Sequence, residues 1–254
     1  MSLYDERRLK EAFPELRLTV FRTIDSTNSE AKRQYEAGLP GPALFLAEHQ
    51  ENGRGRHGRS FYSPAGSGIY MTLLTPVEAS YENARRATAK AAVSVCRGIR
   101  EVTGLPAGIK WVNDIYLYGR KVAGILVESV LGDGEVKALV TGIGINVTTE
   151  DFPEELLQKA GSLGQDIDRT SLVTAILKKL LPELQCLKNL TYLETYRSAS
   201  VVLGKKVTYE DTEGKTQEGM AVEIDGEGAL VVEKIDGTRD TLNSGEVSIR
   251  FQTP

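Results

Sequence analysis

Seven consecutive residues, Gly53-Arg54-Gly55-Arg56-His57-Gly58-Arg59, hold three arginines, three glycines and a histidine. Guanidinium groups match carboxylates and phosphates through paired hydrogen bonds. Glycine lets backbone N–H groups come close to a ligand. Each glycine costs a helix or strand interior about 0.5–1 kcal/mol relative to alanine, so regular structure does not explain the run. Two readings stand side by side: an anion-binding loop that orders around its ligand, or a flexible basic surface loop. Further on, Lys110-Trp111-Val112-Asn113-Asp114-Ile115-Tyr116 gathers a lysine, the only tryptophan, an amide and a carboxylate. Lys121 follows a Gly119-Arg120 turn. Cations beside an acid suit charge neutralisation at a reacting anion, although a lysine opening an apolar strand is also simply its solvated end.

The elements around these residues place them at junctions. Residues 16–24 alternate in polarity and predict a strand. Thr27 and Glu30 then have capping-box spacing, and a helix follows to Ala37, ended by Gly38. A helix start offers unpaired N–H groups and hydroxyls to a ligand, or is no more than a well-made cap. Residues 43–48 form an apolar strand that leads to Gln50 and the arginine run. Phe61 and a Ser/Pro/Gly turn come next, then a strand over 68–75. The arginine run therefore lies at the rim of a sheet. A helix over 82–103 carries Ala87, Ala91, Val95, Ile99 and Val102 on one face and ends at Gly104.

Lys110 opens a strand to Tyr118, and residues 121–128 return. The strand 136–147 contains Gly142 and Gly144 at alternate positions, hence on one face. They leave either a flat slot for a planar ligand or room for a helix. Residues 1–13, 153–163 and 170–198 predict helices, with Pro182 kinking or breaking the last. From Lys205, short strands alternate with glycine-containing turns, as in a small antiparallel barrel. The domain boundary is expected near Val201, giving domains over residues 1–200 and 201–254.

The chain of 254 residues is 41% hydrophobic and 26% charged, an ordinary globular composition. Its net charge of −4 argues against a general nucleic-acid binder. No apolar run approaches the roughly 20 residues a membrane span needs, and residues 1–13 lack a signal-peptide core. Cytoplasmic placement is expected. Cys96 and Cys186 lie in helix-like apolar patterns and predict buried thiols, not a disulfide. The two histidines, His49 and His57, have no metal-ligand spacing.

Five segments, in order, resemble the biotin protein ligases, also called biotin–[acetyl-CoA-carboxylase] ligases. Residues 53–59 resemble the family's Gly-Arg-Gly-Arg-x-Gly-Arg signature and residues 110–115 its Lys-Trp-Pro-Asn-Asp-Ile/Leu segment. Residues 121–128 resemble its Lys-x-Ala-Gly-Ile-Leu-x-Glu strand and residues 142–146 its Gly-x-Gly-x-Asn strand. Ser26-Thr27-Asn28 matches an early Ser-Thr-Asn. The resemblance covers about residues 16–251. Val112 stands where the family usually has proline, and Phe61 where some members have tryptophan. About 15 residues precede the first strand, too few for the helix-turn-helix domain that some members carry, so the short form is expected.

The resemblance implies an α+β fold. A mixed or antiparallel sheet flanked by helices would form a core like that of class II aminoacyl-tRNA synthetases, followed by a small SH3-like barrel. It implies ATP-dependent biotinylation of a lysine through biotinyl-5′-AMP. The implied catalytic residues are Lys121, Arg54, Arg56, Lys110 and Asp114. Biotin would meet Ser26, Thr27, Asn28, Gln50, Gly53, Gly124, Gly142 and Gly144, together with Arg54, Arg56 and Lys121. ATP would meet Arg54, Arg56, Arg59, Phe61, Trp111, Asn113, Lys121, Asn146 and Arg250. Magnesium would accompany ATP with its ligand set unknown; Asp114 is a candidate for the acceptor lysine or the ion, and Asn146 for phosphate or its metal. The implied partner is the biotin carboxyl carrier protein or domain of a biotin-dependent carboxylase. No nucleic acid or membrane partner is expected, and a sheet edge could pair two copies into a homodimer. The alternatives are a lipoate–protein ligase and a non-catalytic biotin-sensing binder.

Overall fold

The computed structural model describes residues 2–211 and 213–249. The elements run α1 (Glu6–Ala12), β1 (Arg17–Phe21), α2 (Thr27–Glu36), β2 (Ala43–Ala47), β3 (Gly68–Ala79), α3 (Tyr81–Arg85) and α4 (Ala87–Thr103). They continue with β4 (Gly108–Lys110), β5 (Asp114–Leu117), β6 (Arg120–Gly132), β7 (Glu135–Asn146), α5 (Arg169–Gln185) and α6 (Tyr192–Ser198). The last part is β8 (Lys206–Glu210), β9 (Thr216–Ile224), β10 (Leu230–Glu233), β11 (Arg239–Leu242) and β12 (Val247–Ile249).

Seven strands form a mixed sheet in the order β1-β2-β3-β7-β6-β5-β4. Only the β1–β2 pair in it is parallel. Side chains on a strand alternate between faces, and here the two faces differ. Leu73, Leu139, Ile143 and Ile145 join the main apolar cluster with Val95 and Ile99 of α4 and Leu172 and Ile176 of α5. Gly98 permits close α4–α5 contact, since a Cβ there would lie 2.6 Å from Ile176 Cγ1. On the other face, Phe45, Leu74, Ala138 and Val140 pack under Ala31 and Tyr35 of α2. That helix covers only part of the face. Its first turn sits over Thr72 and Gly142, and the part left uncovered carries Gly144 and Gly124, brought side by side by the β7–β6 register.

The remaining strands form a separate antiparallel sheet, β11-β10-β9-β8-β12. The α+β class and the small C-terminal β unit agree with expectation. Several helix readings need correction. Ser26, not Thr27, is the N-cap of α2, and its hydroxyl accepts a long 3.5 Å bond from Ser29 N. The expected helix over 82–103 divides at Arg86. Residues 153–163 contain one short turn, Glu154–Leu156, in place of a helix. The 170–198 helix breaks over residues 186–191, while Pro182 sits inside α5. Proline lacks an N–H and crowds the preceding turn, so α5 ends within four residues of it. Cys96 is buried, but Cys186 caps α5 and is exposed, contrary to expectation. No helix among the described residues is long and apolar enough to cross a membrane.

Candidate active site

A cavity of about 690 Å³ opens over the uncovered part of the large sheet. One wall comes from the small sheet, at residues 245–249. The floor is made by glycines. A methyl at Gly144 would lie 2.5 Å from the Phe61 ring, and one at Gly124 would lie 3.1 Å from Lys121 Cε. At Gly142 it would collide with the Asn28 amide. The glycines thus admit Asn28, Phe61 and Lys121 onto the sheet. This is tighter than the open slot read from the sequence.

At one end the start of α2 meets β3 through buried polar groups. Gln50 Oε1 accepts from Thr27 N at 2.9 Å and from the Thr27 hydroxyl at 3.0 Å. Gln50 Nε2 donates to Ser63 Oγ, whose hydroxyl donates to Phe61 O. Thr72 Oγ1 lies 2.8 Å from Thr27 Oγ1 and 2.7 Å from Asn28 Oδ1. Buried polar groups left unpaired cost about 1–3 kcal/mol each, so this chain of partners holds α2 in register with the sheet. The Ser26, Thr27, Asn28 and Gln50 side chains expected to serve one ligand do come together, and all line the cavity.

The other end is cationic. Residues 53–59 form a tight turn with an Arg54–Ser60 bridge and Gly55 N donating to Arg59 O at 2.7 Å. His57 and Gly58 adopt left-handed φ of 55° and 73°. Arg56 Nη1 donates to Asn113 Oδ1 at 2.9 Å and to Gly245 O at 3.2 Å. Arg59 makes a two-oxygen contact with Glu246 at 2.7 and 2.8 Å. Asn113 Nδ2 in turn donates to Ile125 O, and the Trp111 indole N–H donates to Gly228 O. The Trp111–Val112 peptide is cis. Lys121 Nζ lies 2.6 Å from Asp114 Oδ1. Lys110 Nζ donates to the Tyr116 hydroxyl at 3.3 Å.

Burial lowers the Lys110 pKa, against the raising influence of Asp114 and Glu246. Burial raises the carboxyl of Glu246, but the Arg59 hydrogen bond and charge outweigh it, so that group lies below its ordinary value. Among the described residues no three His, Cys, Asp or Glu side chains group as metal ligands.

Arg54, Arg56, Arg59, Phe61, Lys110, Trp111, Asn113, Asp114, Lys121, Gly124, Gly142 and Gly144 all line this one cavity. Gly53 and Asn146 do not. A Cβ on Gly53 would meet Phe61 O and Ser63 Oγ, so this glycine serves backbone packing. Asn146 is buried on the strand face that Gly142 and Gly144 share, and it donates to Gly161 O at 2.9 Å, outside the cavity lining. Arg250 lies outside the described residues. Sequence reasoning missed Thr72, Tyr116 and Glu128. Two-residue periodicity could have found them: Thr72 interrupts an apolar strand, and Glu128 shares the parity of Gly124.

An α+β core and a small antiparallel sheet thus enclose one glycine-floored cavity lined by several cationic side chains. Residues 20–146 match the Biotin/lipoate A/B protein ligase family, and residues 202–250 match the Biotin protein ligase C terminal domain. The chain belongs to the biotin/lipoate A/B protein ligase family. It is 34% identical over 227 residues to the Bifunctional ligase/repressor BirA of Bacillus subtilis, covering 85% of this chain and 69% of that one. With the Biotin–[acetyl-CoA-carboxylase] ligase of Mycobacterium tuberculosis it shares 30% identity over 91% of this chain and 88% of the relative. The structure of a biotin protein ligase from Aquifex aeolicus in complex with biotin and ATP superposes with a TM-score of 0.75. That pair is 29% identical, over 92% of this chain and 98% of the other.

Proposed function

We propose that this chain is a biotin–[acetyl-CoA-carboxylase] ligase, which activates biotin with ATP and transfers it to a lysine of a carrier protein. One observation carries the reading. Three arginines of one loop and three lysines from separate segments converge with the neutral polar start of α2 on a single cavity, in a chain of this family. In the first step the biotin carboxylate oxygen bonds to the α-phosphorus and pyrophosphate leaves, giving biotinyl-5′-AMP. Two unit negative charges about 4 Å apart repel by about 4 kcal/mol at an effective dielectric of about 20. Fixed cations offset that repulsion without reorganising at the moment of reaction.

Lys121 lines the cavity beside Gly124 and is the residue assigned to bridge carboxylate and phosphate. Its partner Asp114 is then released to meet the ammonium of the incoming lysine. In the second step that ammonium gives a proton to Asp114, the free amine attacks the acyl carbon, and AMP leaves with the bonding electrons as the new amide nitrogen loses its second proton to solvent. Arg54 and Arg56 hold the adenylate, and Phe61 and Trp111 provide aromatic surface beside it. The ureido head of biotin is assigned to Ser26, Thr27, Asn28 and Gln50, whose neutral polar groups stand at one end of the glycine floor. Asn146 and Gly53 stand outside the cavity lining, and Gly53 supports the loop by backbone packing.

The described residues offer magnesium no cage of their own, so the ion is assigned to the nucleotide phosphates, and no step here depends on it. The match of residues 202–250 and the names of the relatives favour biotin over lipoate. The carrier is assigned as the biotin carboxyl carrier domain of a carboxylase.

The test is mass spectrometry of such a carrier domain after incubation with the protein, biotin and Mg-ATP. A covalent gain of one biotin is expected. No gain, with lipoate accepted instead or with biotin bound but no pyrophosphate released, would overturn the proposal.

A further inference from the structure

Glu128 does not line the cavity, yet three side chains from two separate segments, α2 and the arginine loop, meet on its carboxylate. Lys32 Nζ of α2 lies 2.7 Å from Oε1, and Arg54 Nη2 of the arginine loop lies 3.1 Å from the same oxygen. Asn28 Nδ2 donates to Oε2 at 3.0 Å. The carboxylate is only 18% exposed. It is therefore a shared anchor for the loop and for the helix start, reached from the β6 position that shares a face with Gly124 and Leu126.

We infer that Glu128, steadied by Lys32, is a positioning residue that holds Arg54 and Asn28 in the arrangement that biotin and its carboxylate require. The inference rests on the biotin ligase reading above. An arginine side chain has large rotamer freedom, and fixing it before a ligand arrives removes an ordering cost from binding. Two cations on one oxygen also leave the cluster net positive, so Arg54 retains charge for an anion. Asn28 connects the same carboxylate to Thr72, Thr27 and Gln50. Glu128 thus joins the charged rim to the neutral end of the site. Burial raises its pKa, but hydrogen bonds from Lys32 and Asn28 and the charge of Arg54 outweigh this and hold it below the ordinary carboxylate value.

Two roles for Glu128 give opposite signs. As a mere counter-charge, its neutralisation would strengthen attraction for anionic substrates and lower their KM. As a positioning residue, its neutralisation raises KM. The measurement is biotin-dependent exchange of labelled pyrophosphate into ATP, with KM and kcat for biotin, alongside thermal melts. Glu128→Gln is expected to raise the KM for biotin about fivefold, equivalent to about 1 kcal/mol, with kcat within about twofold. In an Arg54→Ala background the same change should alter KM by less than about twofold, because the two residues act as one unit. Should Glu128→Gln fail to fold, Lys32→Met withdraws the second cation from the same oxygen and should raise KM in the same direction, about two- to threefold.

An unchanged or lowered KM in these variants overturns the inference, as does a Glu128→Gln effect that multiplies in full with Arg54→Ala. Those outcomes leave the ligase reading intact provided the parent protein exchanges pyrophosphate. A parent protein that shows no biotin-dependent exchange overturns that reading, and the inference with it.

Discussion

Residues 142–145 of β7 alternate between two surroundings. Ile143 and Ile145 are buried in the apolar cluster with α4 and α5. Gly142 and Gly144 face the opposite way, against Asn28 and Phe61. One surface of the same strand is filled with branched aliphatics, and the other is stripped of side chains. The aliphatic face gains stability from apolar area, which is nearly independent of which aliphatic group supplies it. The glycine face gains little from area. It depends on hydrogen bonds, ion pairs and clearances of a few tenths of an ångström. Over this stretch the strand packs the core with one surface and floors the candidate site with the other.

Substitutions that separate stability from activity test this division. The largest effect is expected at Lys121. Lys121→Ala should lower adenylate formation about 10²–10³-fold, the loss seen when a preorganised charge-stabilising group is removed. Its partner pair is partly exposed, so denaturant unfolding should move by only about 1 kcal/mol or less. Near-normal pyrophosphate exchange would break the comparison. On the opposite face, Ile145→Ala should cost about 2–5 kcal/mol in urea unfolding, with the KM for biotin unchanged in the protein that remains folded. A comparable loss of affinity would show that the faces are not independent.

Gly144→Ala probes the boundary between the faces. Its methyl would press on the Phe61 ring, and overpacking costs about 1–3 kcal/mol. Because Phe61 lies in the cavity wall, titration calorimetry should find the penalty mainly in ligand affinity.

The smallest effect belongs to the loop anchor between Arg59 and Glu246. Glu246 has its carboxyl lowered in the folded protein from the ordinary 4.5. The anchor's contribution is therefore fully present above about that value, and it is lost as pH falls through the lowered one. Glu246→Gln should reduce the melting temperature slightly at neutral pH, by the equivalent of about 0.2–1 kcal/mol for an exposed pair. The difference from the parent should vanish in strong acid, and a difference that grew with acidity would contradict the assignment.

The candidate site was legible where chemistry follows from residue type and near spacing. Arg54, Arg56, Lys110, Asp114 and Lys121 were identifiable because cations, glycines and a carboxylate cluster in short segments. Periodicity located most strands, including the alternate glycines of β7. It also overstated the helices near residues 153–163 and across 186–191, where apolar spacing persists but the backbone turns away. Asn146 and Gly53 showed the right residue types at the right spacing, yet neither lines the cavity: Gly53 packs against Phe61 and Ser63, and Asn146 donates to Gly161 O.

What the sequence determined by itself was local: which backbone each segment favours, and which charges it carries. Only the tertiary structure decided who pairs with whom. Arg59 meets Glu246 across 187 positions, and Asn28 meets Glu128 across 100. Such pairings depend on strand order and on the angle at which the small sheet docks. Those are set by how the whole apolar core packs, and no window of neighbouring residues contains that information.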